Sequence, residues 1–303
     1  MDVNGHTDGS SSAFMERLRA RWRDADALLC VGLDPEFERL PAAVRAGGDT
    51  DEHIEAAIVA FNIAIIDATA DLVCAFKPNA AFYEAHGLAG QRALLRTIAH
   101  IHERHPDVPV LLDAKRGDIG STSQAYAHAI FDVYGADAVT LHPYLGREAL
   151  APFLERSERG AFILCRTSNP GAGEFQDLPV PRDDGSTEPL YLALARRVAN
   201  EWNARGNCGL VVGATYPDEL RRVRGVAGNI PILVPGIGAQ GGDLEGTVRA
   251  GLDSQRAGLL ISSSRGILYA SSGDDFAAAA RREALRLQTA INELRHAAQG
   301  ASA

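Results

Sequence analysis

Val110-Leu111-Leu112-Asp113-Ala114-Lys115 is a short apolar run that ends in two charges of opposite sign. A strand buried on both faces reads this way, as in a parallel sheet covered by helices. The same pattern recurs along the chain at 28–33, 73–76, 110–112, 138–141, 161–164, 210–212, 232–234 and 259–261. Between these runs lie segments with apolar spacings of three and four, which predict helices over 54–70, 91–103, 123–133, 190–202 and 276–294. Pro217 opens one such segment and Gly135 follows the end of another, as helix start and stop residues do. Eight alternations in one direction predict an α/β fold, a closed (β/α)8 TIM barrel in a single domain. A length of 303 residues suits that fold. The expected division is a flexible head over 1–13, the barrel over 14–296 and a flexible tail over 297–303.

The bulk composition narrows the class of protein. A net charge of −9 argues against nucleic acid and anionic membranes as partners, but leaves a small anionic ligand open, since that answers to local charge. The polar first thirteen residues hold no apolar signal core, and no run approaches the length of a membrane span, so the expectation is a cytoplasmic protein. Cys30, Cys74, Cys165 and Cys208 lie far apart within or beside apolar runs, which predicts buried reduced thiols.

Lysine usage points to the chemistry. Only Lys77 and Lys115 occur, against twenty-eight arginines. An ammonium can give up a proton or form an imine, and a guanidinium does neither. Both lysines follow apolar runs, at the strand ends where barrel active sites are built. The other strand-end residues are Asp34, Asn79, Asp118, His142, Arg166 to Asn169, Gly213, 235–240 and 262–265, whereas the opposite strand ends contribute almost no charge. Asp113 and Lys115, two apart on an extended strand, should point to one side, with Lys77 nearby. Lysines and aspartates held together stay ionised. Such an array can press a substrate anion against a fixed carboxylate and offer a proton where charge develops. The plain alternative is an ion-pair network tying two loops together.

Two further stretches complete the mouth. Pro235 to Gly242 is rich in glycine and leads into a helix near Asp243 whose N-terminus should favour anions, and Ser262-Ser263-Ser264-Arg265 adds hydroxyls and a cation. Together they predict a phosphate site, in the usual place for this fold. Arg166-Thr167-Ser168-Asn169-Pro170-Gly171 opens a long connection to about Glu188, read as a lid or binding loop. His100, His102 and His105 suit a helix end, and with no carboxylate partner evident they predict no metal site.

These residues resemble a known family. Asp113-Ala114-Lys115-Arg116-Gly117-Asp118-Ile119 is similar to the Asp-x-Lys-x-x-Asp-Ile signature of orotidine 5'-phosphate decarboxylases, in their larger bacterial branch, type 2. Phe76-Lys77-Pro78-Asn79, Val31-Gly32-Leu33-Asp34-Pro35, Ser168-Asn169-Pro170-Gly171-Ala172 and the 235–243 loop match the family's other strand ends. The resemblance implies a homodimer with shared active sites that converts orotidine 5'-phosphate to UMP and CO2 without metal or organic cofactor. It implies Lys115 as proton donor to C6, Asp113 as the carboxylate that crowds the substrate, and Lys77 with Asp34 on ribose hydroxyls. Asp118, Ile119 and Thr122 would complete the neighbouring subunit's site, Ser168 would meet the pyrimidine edge, and Gln240 and Arg265 would hold phosphate. Ser264 and Ser123 stand where the family usually has Gly and Asn. Rival readings of the same barrel are a Schiff-base aldolase and a metal-dependent keto-sugar-phosphate decarboxylase.

Overall fold

The computed structural model describes residues 12–237 and 242–297. Gln240, with Gly238, Ala239 and Gly241, lies outside the described residues, as do 1–11 of the expected head and 298–303 of the expected tail. Ten strands are present in the described chain: β1 (Leu29–Leu33), β2 (Ala75–Pro78), β3 (Leu111–Arg116), β4 (Ala138–Leu141), β5 (Gly160–Arg166), β6 (Pro179–Pro181), β7 (Thr187–Pro189), β8 (Cys208–Val212), β9 (Ile232–Pro235) and β10 (Leu259–Ser263). Eight of them form one parallel sheet in the order β2-β1-β10-β9-β8-β5-β4-β3. Bridges Phe76↔Val110 and Asn79↔Asp113 join the outer pair and bring the sheet round to a barrel. β6 and β7 form a small antiparallel hairpin inside the long fifth connection.

The strands are apolar because both faces are covered, and β1, β4 and β8 are buried at every residue. Most run past their apolar stretches at the C-terminal end, so that Lys77, Asp113 to Arg116, Arg166 and Ser262 with Ser263 belong to the strands themselves. Register fixes their heights: Gly32 pairs with Lys77, and Val31 with Ser263.

The opposite end of the barrel is closed by the helix Ala13–Asp24, capped by Ser12, whose hydroxyl accepts the Met15 N–H at 3.1 Å. Its buried Phe14, Met15, Leu18 and Trp22 face the barrel, and Phe14 packs edge-on against Phe162 at 5.9 Å. Gly160 is required there, because a Cβ would lie 2.6 Å from the Phe14 ring. Contrary to the sequence expectation, this end is also charged. Asp137, 4% exposed, accepts hydrogen bonds from Arg17, from His102 and from the Val110 N–H, and the buried Arg21 pairs with Asp107. These ions anchor the closing helix, a structural task that leaves no apolar signature in the strands.

Two expected helices contain single wide turns, over Ala129–Val133 and Val198–Trp202. The expectation that no segment reaches membrane length is also corrected. Asp51–Leu72 is long and apolar enough by length and composition. In the fold its Ile58, Phe61, Ile65 and Ile66 are buried against the barrel. The four cysteines are free and buried, as expected.

Candidate active site

The C-terminal strand ends surround a cavity of about 390 Å³, within the range of small-molecule sites. Its floor is apolar, with Leu164, Val211, Leu233 and Ile237. Of the residues singled out from sequence, Asp34, Lys77, Asp113, Lys115, Ser168, Ser264 and Arg265 all line it. Asn79, Phe82, Thr167 and Asn169 line it too.

Asp113 is the centre of the charged array. Lys77 Nζ lies 3.2 Å from its Oδ2 and Lys115 Nζ 2.7 Å from its Oδ1. Lys77 is almost fully buried, while Lys115 is half-exposed at the cavity mouth. Burial alone would raise the Asp113 pKa, but Lys77 and then Lys115 outweigh it and hold the carboxyl well below its usual range. Burial likewise pulls the Lys77 pKa down, and Asp34 with Asp113 reverses that and pushes it above the ordinary lysine value. The array is therefore stable only as alternating charges.

The geometric reason given by sequence for the Asp113–Lys115 juxtaposition needs correction. β3 is not regularly extended here: its register against β4 shifts between Leu112 and Arg116, and Lys115 has φ 47°. A bulge, and not period-two alternation, brings the two side chains together.

Asp34 follows β1, and its Oδ2 accepts a hydrogen bond from Ser264 Oγ at 2.7 Å. Its Oδ1 is buried with no partner among the described residues, an acceptor waiting for a donor in the cavity. Ser264 has φ −127°, so this position does not demand glycine. Close packing shifts that demand to Gly32, where a Cβ would meet the Ser264 Cβ at 2.7 Å. Arg265 has no acidic partner among the described residues and is exposed beside the cavity.

The expected anion preference of the helix after Asp243 is overturned. Asp243 caps Leu244–Gly251 with its own carboxylate, accepting the Gly246 N–H at 2.9 Å, so that N-terminus already holds a negative group. Gly236, with φ 106°, gives the loop its close approach to the cavity instead.

The fifth connection is built, not irregular. Buried Arg166 pairs with Asp177 at 3.0 Å and stacks over Tyr216 at 4.8 Å, while the Thr167 N–H donates to Gln176 at 2.8 Å. These contacts pin the segment over the cavity side where Ser168 sits, and Gly213 leaves room for Ser168, whose Cβ would lie 2.6 Å from an added methyl.

Asp118, Ile119 and Thr122 do not line this cavity. Asp118 Oδ1 accepts the Ile119 N–H at 2.7 Å, and Ile119 is 60% exposed. Ser123 turns inward, donating to the Ala149 carbonyl at 2.6 Å. His142 binds the Gly117 carbonyl at 2.8 Å and so braces the turn, away from the cavity. The reading of the helix-end histidines also changes, because a carboxylate partner exists. Asp67 Oδ1 meets His100 Nε2 at 2.8 Å and His105 Nε2 at 2.9 Å, a group that could hold a metal ion at the opposite end of the barrel.

Sequence reasoning missed Thr140. Its Oγ1 donates to Asp113 at 2.8 Å and accepts the Lys115 N–H at 3.0 Å. The available signal was a lone hydroxyl in the apolar run Ala138-Val139-Thr140-Leu141.

Comparisons with known proteins supply the family. Residues 27–282 match the model of the family described as orotidine 5'-phosphate decarboxylase / HUMPS. The chain is 54% identical over 282 residues to the orotidine 5'-phosphate decarboxylase of Azoarcus sp. (strain BH72), covering 93% of this chain and 99% of that one. It is 50% identical to the protein of the same name from Cupriavidus taiwanensis, with the same coverage of 93% and 99%. Among solved structures, Leishmania donovani OMP decarboxylase superposes with a TM-score of 0.78 at 39% identity, covering 93% of this chain and 98% of that one. A lysine–aspartate array above an apolar floor, on a barrel with relatives this close over nearly its whole length, leaves one assignment: the chain belongs to the orotidine 5'-phosphate decarboxylase / HUMPS family.

Proposed function

We propose that this chain converts orotidine 5'-phosphate to UMP and CO2 in pyrimidine biosynthesis, with Lys115 as proton donor. The observation that carries the reading is the Lys77–Asp113–Lys115 array at the cavity mouth. When the C6–carboxylate bond breaks, its electron pair stays on a vinylic carbon with no adjacent electron sink. Fixed charges placed where that pair develops are the means available to side chains. Lys115 Nζ–H then gives its proton to C6, and the neutral amine regains one from solvent. Asp113 crowds the departing carboxylate and holds both ammonium groups.

Binding falls to the rest of the cavity. The unpartnered Asp34 Oδ1 and Lys77 suit ribose hydroxyls, Ser168 suits the pyrimidine edge and Arg265 suits phosphate, with Gln240 assigned to the phosphate by the family resemblance alone. Phosphate binding far from the reacting carbon supplies energy to drive the carboxylate against Asp113. Asp118, Ile119 and Thr122 act in a homodimer by completing the partner's site. Their absence from their own cavity supports this, as do exposed Ile119, Tyr144, Leu145 and Phe175. Free buried thiols fit a cytoplasmic enzyme. Its partner is a nucleotide, with no role for nucleic acid or membrane, and the reaction as written draws on side chains alone.

An imine-forming aldolase needs a neutral amine. Here Asp34 and Asp113 hold Lys77 as an ammonium, and Lys115 is ion-paired with Asp113. The test follows the ultraviolet change as orotidine 5'-phosphate becomes UMP, with and without EDTA. Turnover indifferent to EDTA is expected. Folded protein that binds UMP but releases no CO2 sinks the reading, and a borohydride-stable adduct on Lys115 with a sugar phosphate favours the aldolase.

A further inference from the structure

The β3–β4 ladder loses step where the charged residues sit. Leu111 pairs with Ala138 and Leu112 with Val139, yet the next matched pair is Arg116 with Leu141. Asp113, Ala114 and Lys115 therefore share a single residue on β4, Thr140. A bulge leaves backbone groups without ladder partners. Lys115 takes up the distortion in the left-handed region, which residues with a Cβ seldom enter. Such a conformation persists only where its surroundings over-determine it.

Thr140 supplies that constraint. It is 1% exposed, and its hydroxyl accepts the orphaned Lys115 N–H at 3.0 Å while donating to Asp113 Oδ1 at 2.8 Å. The same Oδ1 receives Lys115 Nζ at 2.7 Å. The backbone and the ammonium of one lysine are thus tied, through one hydroxyl and one carboxylate oxygen, into a closed ring. A hydroxyl can donate and accept at once, and the flanking Val139 and Leu141 can do neither. Thr140 does not line the cavity, so it acts through its neighbours.

We propose that Thr140 is a positioning residue for the decarboxylation: its hydroxyl clamps the β3 bulge and so sets the Lys115 ammonium and the Asp113 carboxylate in fixed relation. The proposal rests on the decarboxylase reading. Thr140→Val keeps the shape and removes the hydroxyl, and Thr140→Ser keeps the hydroxyl. Loss of a hydrogen bond to a charged group, with a displaced proton donor, should lower kcat about 10- to 100-fold in the Val variant. KM should stay within about threefold, because the loss falls on the transition state. The Ser variant should recover to within about fivefold of the original kcat. Amide exchange adds a readout independent of turnover: the Lys115 N–H should lose protection in Val and keep it in Ser.

A Val variant with kcat within about twofold of the original, or a Ser variant as slow as Val, overturns the clamp. If the Val variant does not fold, Thr140→Ala replaces it. A Ser/Ala ratio of kcat above about two, the least the expected ranges allow, supports the proposal, and any smaller ratio overturns it. The unaltered enzyme run alongside separates the two readings: if it fails on orotidine 5'-phosphate, the function is refuted and the clamp with it, whereas a loss confined to the variants' predicted pattern leaves the function standing.

Discussion

Replacing Lys77 by Met tests whether the array is held by alternating charge. Methionine matches the lysine stem in length and suits a site that is 4% exposed, so the change removes a charge and little volume. Lys77 Nζ lies 3.2 Å from Asp113 Oδ2, and at an effective dielectric of about 20 this attraction is about 5 kcal/mol. Desolvation of both ions offsets part of that, and breaking a buried pair typically costs about 3–5 kcal/mol. Lys115 still neutralises Asp113 at 2.7 Å, which argues for the lower end, about 3 kcal/mol. Denaturant unfolding of the four members of a Lys77→Met and Asp113→Asn cycle reads the coupling directly. Asn accepts Met at position 77 without a buried charge left over, so the double variant should be more stable than additivity predicts by about 1.5–3 kcal/mol.

The pH dependence has a definite sign. Asp113 has a depressed folded-state pKa, so its contribution is present above the unfolded value, about 3.9, and is lost as pH falls through the folded value. Lys77→Met lets that folded pKa climb back, so the stability gap to the original protein should narrow from about pH 5 downward. Lys77 itself has a raised pKa, so its contribution is full below about 10.4 and fades as pH rises through the higher folded value. Additivity within about 0.5 kcal/mol at pH 7, or a gap that stays constant down to pH 3, refutes the reasoning.

The remaining tests address chemistry and assembly. Lys115→Ala should lower kcat by at least about 10³-fold while UMP affinity by calorimetry stays within about tenfold, and Lys115→Arg should do little better, since a guanidinium holds its proton. Mixing inactive Asp118→Asn and Lys115→Ala dimers should regenerate sites with both native residues, and no recovered activity after subunit exchange proven by mass spectrometry refutes the shared site. Gly32→Ala places a methyl 2.7 Å from the Ser264 Cβ and 3.3 Å from Asp34 Oδ2. It should raise KM about tenfold by driving the Ser264 side chain and, with it, Asp34 out of place, and Ser264→Gly in the same chain, which removes the clash, should bring KM back; a double variant no better than the single one refutes that steric coupling.

Much of the fold was legible because parallel strands buried on both faces write themselves as apolar runs. The strand ends were read short because β3 and β5 continue into Asp113-Ala114-Lys115-Arg116 and Cys165-Arg166, where the residues serve the site. The closing helix Ala13–Asp24 was not singled out: its buried Phe14, Leu18 and Trp22 keep helical spacing, but six charged residues among twelve hide the stripe. Most cavity-lining residues were legible from strand-end position alone. Asp67 beside His100 and His105 was not, since proximity between two helices thirty-odd residues apart leaves no local pattern. Thr140 escaped for a related reason, because a bulge is a mismatch between two strands and neither strand's sequence records it.

That bulge also explains why the chemistry can afford only two lysines. A regular β3 would spend the Lys115 N–H on the β4 backbone and carry its side chain along the pleat, fixing one orientation by ladder alone. The observed strand gives up that bond, takes the N–H to the Thr140 hydroxyl and bends the Lys115 stem back onto Asp113. The arrangement needs a slender chain with a compact head, for a planar guanidinium demands two parallel acceptors that Asp113, already shared with Lys77 and Thr140, does not have to spare. Many of the arginines meet carboxylates or carbonyls at surfaces and helix ends, where no transferable proton is needed. Scarcity of lysine and irregularity of β3 are thus two marks of the same requirement, a transferable proton held in a fixed place.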